Sequence, residues 1–233
     1  MIYIFYENII FKKCNLIEDR IREEVATLVS KLPITITPNL ITIVSFILGI
    51  LSAINFAFSN ILVGIILYYT SDVLDGVDGI IARRKNMSTL YGAYLDSCLD
   101  RYVDAAILLG ICIHLSNAGY IWIIWIIGIF AIIGSFMISY TTHRAEALGK
   151  VVLPSFILLH RRTRMHIVII GAILNQLFWA LIILALVCNL NVFWRMMPWM
   201  LRDFNSVGER IKKSLPKTSI KKFQENENAI KKE

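Results

Sequence analysis

Residues 75–100 read DGVDGIIARRKNMSTLYGAYLDSCLD, and four carboxylates, Asp75, Asp78, Asp96 and Asp100, lie there within or beside long apolar runs. An ionised side chain near a bilayer midplane costs roughly 2.5–3.5 kcal/mol. Four together require a compensating partner. The surroundings are membrane-like: 57% of the 233 residues are apolar, 18% are charged and the mean hydropathy is +0.64. That balance excludes an ordinary soluble domain. The opening residues MIYIFYENII lack a basic region, and no small-residue cleavage site follows, so they are expected to stay on the protein. Cys14, Cys98, Cys112 and Cys188 show no CxxC or CxxH spacing, which points away from a disulfide framework or a zinc site.

Apolar runs of about 20 residues can cross a bilayer as helices. The pattern predicts an all-α, polytopic membrane protein with six transmembrane helices: Pro38–Phe58, Ile61–Arg83, Leu90–Leu115, Gly119–Thr141, Met165–Leu174 and Leu177–Trp194. The fifth has only about ten clean apolar residues and needs the basic stretch Arg161–Arg164 to reach across. All 24 Lys and Arg residues fall on one side or within a turn or two of it, and the loops at 59–60, 116–118 and 175–176 carry no charge. The positive-inside rule then places both termini and the active face in the cytoplasm of a multi-pass cell-membrane protein. Ahead of the first span, Leu16, Ile17, Ile21, Val25, Leu28 and Val29 recur at helical spacing among charged residues, as in an amphipathic juxtamembrane surface helix. The expected organisation is 1–35 for this N-terminal part, 36–200 for the six-helix domain, and 201–233 for a basic, solvated cytoplasmic tail.

At about 100° per residue, Asp72, Asp75, Asp78, Gly79 and Ala82 share one stripe of the second span, and Gly92, Asp96 and Asp100 one stripe of the third. Asp75 and Asp100 lie at matching depth, ~21–23 Å into a core of ~30 Å, so the antiparallel helices can bring all four motif acids to one level. Convergent carboxylates without His or Cys select hard divalent cations, and two Mg²⁺ (or Mn²⁺) ions are the expected cofactor. Such a pair can clamp a pyrophosphate and leave one carboxylate to take a proton from an attacking hydroxyl. Gly79 and Gly92 would let a nucleotide approach the helix backbones, and Arg83 can pair with phosphate.

The order Asp75-x2-Asp78-Gly79-x2-Ala82-Arg83-x8-Gly92-x3-Asp96-x3-Asp100 resembles the complete signature of the CDP-alcohol phosphatidyltransferases. The likeness extends over residues 15–200. It implies that an acceptor hydroxyl attacks the β-phosphorus of a CDP-linked lipid and releases CMP. It further implies that Asp75, Asp78, Asp96 and Asp100 hold the metals, with Asp100 doubling as general base. The CDP moiety would meet Gly79, Ala82, Arg83, Thr89 and Gly92; the TPNLIT segment, similar to the family's first-span start, adds Asn39 and Thr42. A homodimer among membrane lipids, without nucleic acid, is the implied assembly.

The acceptor is less specified. His143, Arg144, Lys150, Arg161, Arg162, Arg164, His166 and Arg195 stand beside the proposed mouth. Orientation bias alone would gather bases there, whereas Arg forks would hold an acceptor that already bears a phosphate. Arg144, Arg164 and Arg195 are the candidates. SYTTHRAEALGK (139–150), DGVDGIIARRK and LDSCLDRYVD resemble the inositol-phosphate-using branch, whose members include enzymes of di-inositol phosphate synthesis. Thr142 departs from it, since that branch tends to carry a base there. Glycerol 3-phosphate, serine or CDP-inositol as reaction partner are the alternatives. A membrane cation transporter would explain the acids but not the intervening Gly, Ala and Arg, and no inverted repeat joins the halves; an intramembrane prenyltransferase would lack the Gly-x2-Ala-Arg continuation. Outside the signature, Asp104 is expected to pair with Arg101, Asp72 to support the site from its edge, and His114 to be a satisfied core histidine.

Overall fold

The computed structural model describes residues 17–31, 37–117, 119, 121–147 and 161–214, with side chains to Met197; Lys150 and the ends of the chain lie outside the described residues. All regular structure within them is helical: α1 (17–30), α2 (Pro38–Ala57), α3 (Ile61–Arg84), α4 (Leu90–Asn117), α5 (Ile121–Ala147), α6 (Arg161–Ile173) and α7 (Leu177–Ser214). Three stretches, Pro38–Ala57, Trp122–Ala147 and Leu177–Met197, are long and apolar enough to cross a membrane. Helices α3 and α4, of 24 and 28 residues, are also long enough to cross, but each carries several carboxylates.

Helix ends follow from local chemistry. Pro38 opens α2, where its missing N–H is no loss. The reversals after α2, α3 and α6 each use one left-handed residue, Ser59 (φ 65°), Asn86 (φ 54°) and Asn175 (φ 54°). The N–H of the following residue donates back to Asn55, Ala82 and Gly171, respectively, at 2.7–2.9 Å, the Schellman closure of a helix C-terminus. At the start of α4 the Thr89 hydroxyl accepts the Gly92 N–H at 3.0 Å, a side-chain cap. The two helices of the signature are thereby joined by a short turn of five residues, 85–89.

Helix α2 packs along both α3 and α4, and α5 along α7, with α4 and α5 joining the groups. Small residues permit the closest approaches, as in membrane helix pairs. Ser45 and Ser71 exchange hydroxyl-to-carbonyl bonds at 2.8 Å between α2 and α3, and Ser52 donates to the Gly64 carbonyl at 2.7 Å. Gly110 lies directly against the Ala53 backbone, with no room for a side chain. Phe56, Ile107, Ile111, Ile124 and Leu181 fill the main core, and Ala26, Ile41, Val73, Val77 and Ile81 a second one under α1. His114 bonds Ser59 across the end of the bundle remote from the acids, Nδ1 to Oγ 2.9 Å.

Two features differ from the sequence-based expectation. Helix α7 runs on to Ser214 through the expected boundary at 200, because Met200, Phe204, Val207 and Ile211 continue a helical apolar period. Helix α1 is anchored by ion pairs as well as by its apolar face. Its buried Arg22 pairs with Asp72, Glu23 with Arg84, Asp19 with Arg162 (3.1 Å) and Glu18 with His166 (2.6 Å), so it straps α3 to α6.

Candidate active site

Successive helical turns put Asp72, Asp75 and Asp78 on α3 and Asp96, Asp100 and Asp104 on α4, and both helices pack against α2. Carboxylate oxygens of Asp75, Asp96 and Asp100 lie within 4.8 Å of one another. Asp78, buried, instead accepts a hydrogen bond from the Thr42 hydroxyl of α2. Three of the four motif acids thus form one cluster, and the fourth faces the adjoining cavity.

That cavity, of about 240 Å³, is lined by Asn39, Thr42, Asp78, Gly79, Ala82, Arg83, Thr89, Gly92 and Asp96, among others. All seven residues expected at the nucleotide therefore meet around one space, with two motif acids at its edge. Gly92 keeps it open: a β-carbon there would lie 3.1 Å from Thr89 Oγ1 and 3.2 Å from Asn39 Oδ1. Arg83 is exposed at the rim.

The donor set fits a divalent cation. It is all carboxylate oxygen, its members are close enough to share an ion, and Asp96 Oδ1 is buried without a hydrogen-bond partner. Its neighbour is a cation from a distant part of the chain. Arg161, the first residue of α6, places Nη1 2.6 Å from Asp75 Oδ2 and 2.8 Å from Asp100 Oδ1, with Nε 3.6 Å from Asp104 Oδ1.

The expected Asp104–Arg101 pair is replaced by another. Asp104 is buried against Arg164 (2.7 Å) and accepts from Ser135 (3.3 Å), while Arg101 turns to Asp100 (3.3 Å) and the Ser139 hydroxyl. Residues 101 and 104 share a helix face, but α6 delivers a guanidinium directly onto Asp104. Asp72 likewise has a partner, Arg22, beneath the cluster. The three candidate acceptor residues separate: Arg164 is buried on Asp104, Arg195 donates to Thr142 Oγ1 (2.8 Å) and the Ile138 carbonyl (3.1 Å), and Arg144 is exposed at the end of α5. At Thr142, then, the departure from the inositol-phosphate pattern is met by a cation contributed from α7.

Sequence reasoning passed over Arg22, and set Arg161 beside the mouth of the site without pairing it with the acids. Their partners lie 50 and 86 residues away, too far for any local pattern. Charge balance was the available signal: six acids on α3 and α4 need more cations than Arg101, the one base of those two helices that meets them, can supply.

Comparison with known proteins agrees with this geometry. The model of the CDP-alcohol phosphatidyltransferase family matches residues 35–193, most of the chain, which therefore belongs to that family. An Aquifex aeolicus bifunctional IPC transferase and DIPP synthase is 37% identical over 162 residues, covering 67% of this chain and 37% of its own length. The archaetidylinositol phosphate synthase of Pyrococcus horikoshii is 38% identical over 141 residues, covering 60% of this chain and 71% of the relative. Among solved structures, Mycobacterium tuberculosis phosphatidylinositol phosphate synthase with CDP-DAG bound superposes with a TM-score of 0.65 at 25% identity, covering 76% of this chain and 92% of that one. The chain spans well under half the length of the bifunctional relatives it matches.

Proposed function

We propose that this protein is an integral-membrane transferase that moves a phosphatidyl or archaetidyl group from a CDP-linked lipid to the hydroxyl of a phosphorylated polyol, inositol phosphate, releasing CMP. The observation that carries this reading is the joining of the whole signature into one cavity and one carboxylate cluster. A transporter would need the acids but not the glycines, Ala82 and Arg83 around a nucleotide-sized space. In the proposed reaction the acceptor oxygen bonds to the β-phosphorus, the bond from that phosphorus to the CMP oxygen breaks, and the hydroxyl proton passes to Asp100. Bound Mg²⁺ or Mn²⁺, two ions on Asp75, Asp78, Asp96 and Asp100, would neutralise the pyrophosphate. Asn39, Thr42, Gly79, Ala82, Arg83, Thr89 and Gly92 would seat the CDP moiety. Arg144, Arg164 and Arg195 remain the proposed source of positive charge for the acceptor phosphate, with Arg195 the one poised on α5.

The same reading takes α2 to α7 as six spans, with α1 on the cytoplasmic surface and the termini and site facing the cytoplasm. The domain occupies 36–200, and a homodimer is the proposed assembly. The matches to bifunctional IPC transferase and DIPP synthases favour one second reading, in which CDP-inositol is the donor.

The test is CMP release by the purified protein in Mg²⁺ with CDP-diacylglycerol and, separately, inositol phosphate, glycerol 3-phosphate, serine or free inositol, plus one arm with CDP-inositol. Release with inositol phosphate alone is expected. Silence in every arm would overturn the assignment.

A further inference from the structure

The carboxylate cluster already contains a cation of the protein's own. One nitrogen of Arg161, Nη1, binds Asp75 Oδ2 and Asp100 Oδ1 together at 2.6 and 2.8 Å. Asp75 and Asp100 are also two of the three acids whose oxygens could share a metal ion. A divalent ion on carboxylates sits ~2.0–2.6 Å from its ligands. Placed between Asp75 and Asp100 it would fall almost on top of the guanidinium, and two cations at such separation repel strongly in a partly dry site. Both cannot be held by the same oxygens. Arg161 stands at the start of α6, and its Nε already leans toward Asp104, so the guanidinium has a further carboxylate to hold when it leaves Asp75 and Asp100.

We propose that Arg161 is a resident counter-cation of the cluster, and that entry of a divalent metal and withdrawal of the Arg161 guanidinium from Asp75 and Asp100 are a single exchange. This rests on the reading that the cluster holds metal. The exchange gives Arg161 a positioning role: it keeps the acids of α3 and α4 together before loading, and it weakens metal binding by the strength of its own two contacts.

The experiment is Mn²⁺ titration by calorimetry on the full chain in detergent, comparing wild type with Arg161→Gln and Arg161→Lys. Arg161→Gln should tighten Mn²⁺ binding by at least about tenfold, the factor that matches loss of one close charge pair. Arg161→Lys should stay near wild type. Unchanged or weaker binding in Arg161→Gln overturns the exchange while leaving the metal site standing; no Mn²⁺ binding by wild type removes both. Should the Gln variant not fold, the wild type decides: phenylglyoxal modification of Arg161, read by peptide mass spectrometry, should rise severalfold with Mg²⁺. A flat labelling yield overturns the proposal.

Discussion

Gly76 lies where the Arg22 side chain passes over α3 to reach Asp72. A β-carbon at residue 76 would stand 2.5 Å from Arg22 Cδ, 2.7 Å from Nε and 2.9 Å from Cζ, well inside the ~3.5 Å of an ordinary non-bonded contact. Gly76→Ala must therefore push the guanidinium off its partner. The two side chains are 8% and 5% exposed, so Asp72 would be left buried without its cation, a loss of about 3–5 kcal/mol. Alanine in place of glycine within a helix returns about 1 kcal/mol, leaving a net destabilisation of about 2–4 kcal/mol. In an Arg22→Ala background the obstacle is gone, and the same Gly76→Ala change should stabilise by about 1 kcal/mol. The assay is a double-mutant cycle of unfolding in mixed detergent micelles followed by helical circular dichroism. Reversal of sign between backgrounds is the expected result. Equal effects in both would refute the crossing of α1 over α3 at this glycine.

Asp100→Asn should lower CMP release by about 10²–10⁴ while metal-dependent binding of the CDP donor survives; normal turnover would take the general-base role from Asp100. Gly92→Ala narrows the cavity between Thr89 and Asn39, and should raise the donor KM about tenfold with little change in the acceptor KM, a split that equal effects on both substrates would contradict. Arg164→Ala takes from the buried Asp104 its closest cation, leaving Ser135 and the more distant Arg161 Nε, and should destabilise the protein by about 3 kcal/mol. Wild-type stability with a raised acceptor KM would mean that Arg164 binds substrate and not Asp104.

Much of the site was legible along the chain because its parts are local. The period of 3.6 residues puts Asp75 and Asp78 on one face of α3, and Asp96 and Asp100 on one face of α4. The turn at 85–89 is short, and both helices pack on α2, which brings their acids together. The Thr89–Gly92 cap and the Asn86 closure are likewise short-range. Less legible was how the acids divide. Asp78 turns to Thr42, and the partner of Asp104 comes from α6 and not from its own helix.

Sequence by itself determined the helices, the membrane character and the residues of the signature. Hydropathy, helical period and capping act over a few residues, and the spacing of a motif is preserved by any fold that keeps its helices. Only the tertiary structure decided which cations meet the buried acids. Arg22 on Asp72, Arg161 on Asp75 and Asp100, and Arg164 on Asp104 each join residues from separate helices. Buried charge must be balanced by whichever base the packing brings within ~4 Å, and nothing in a linear string of residues specifies that base.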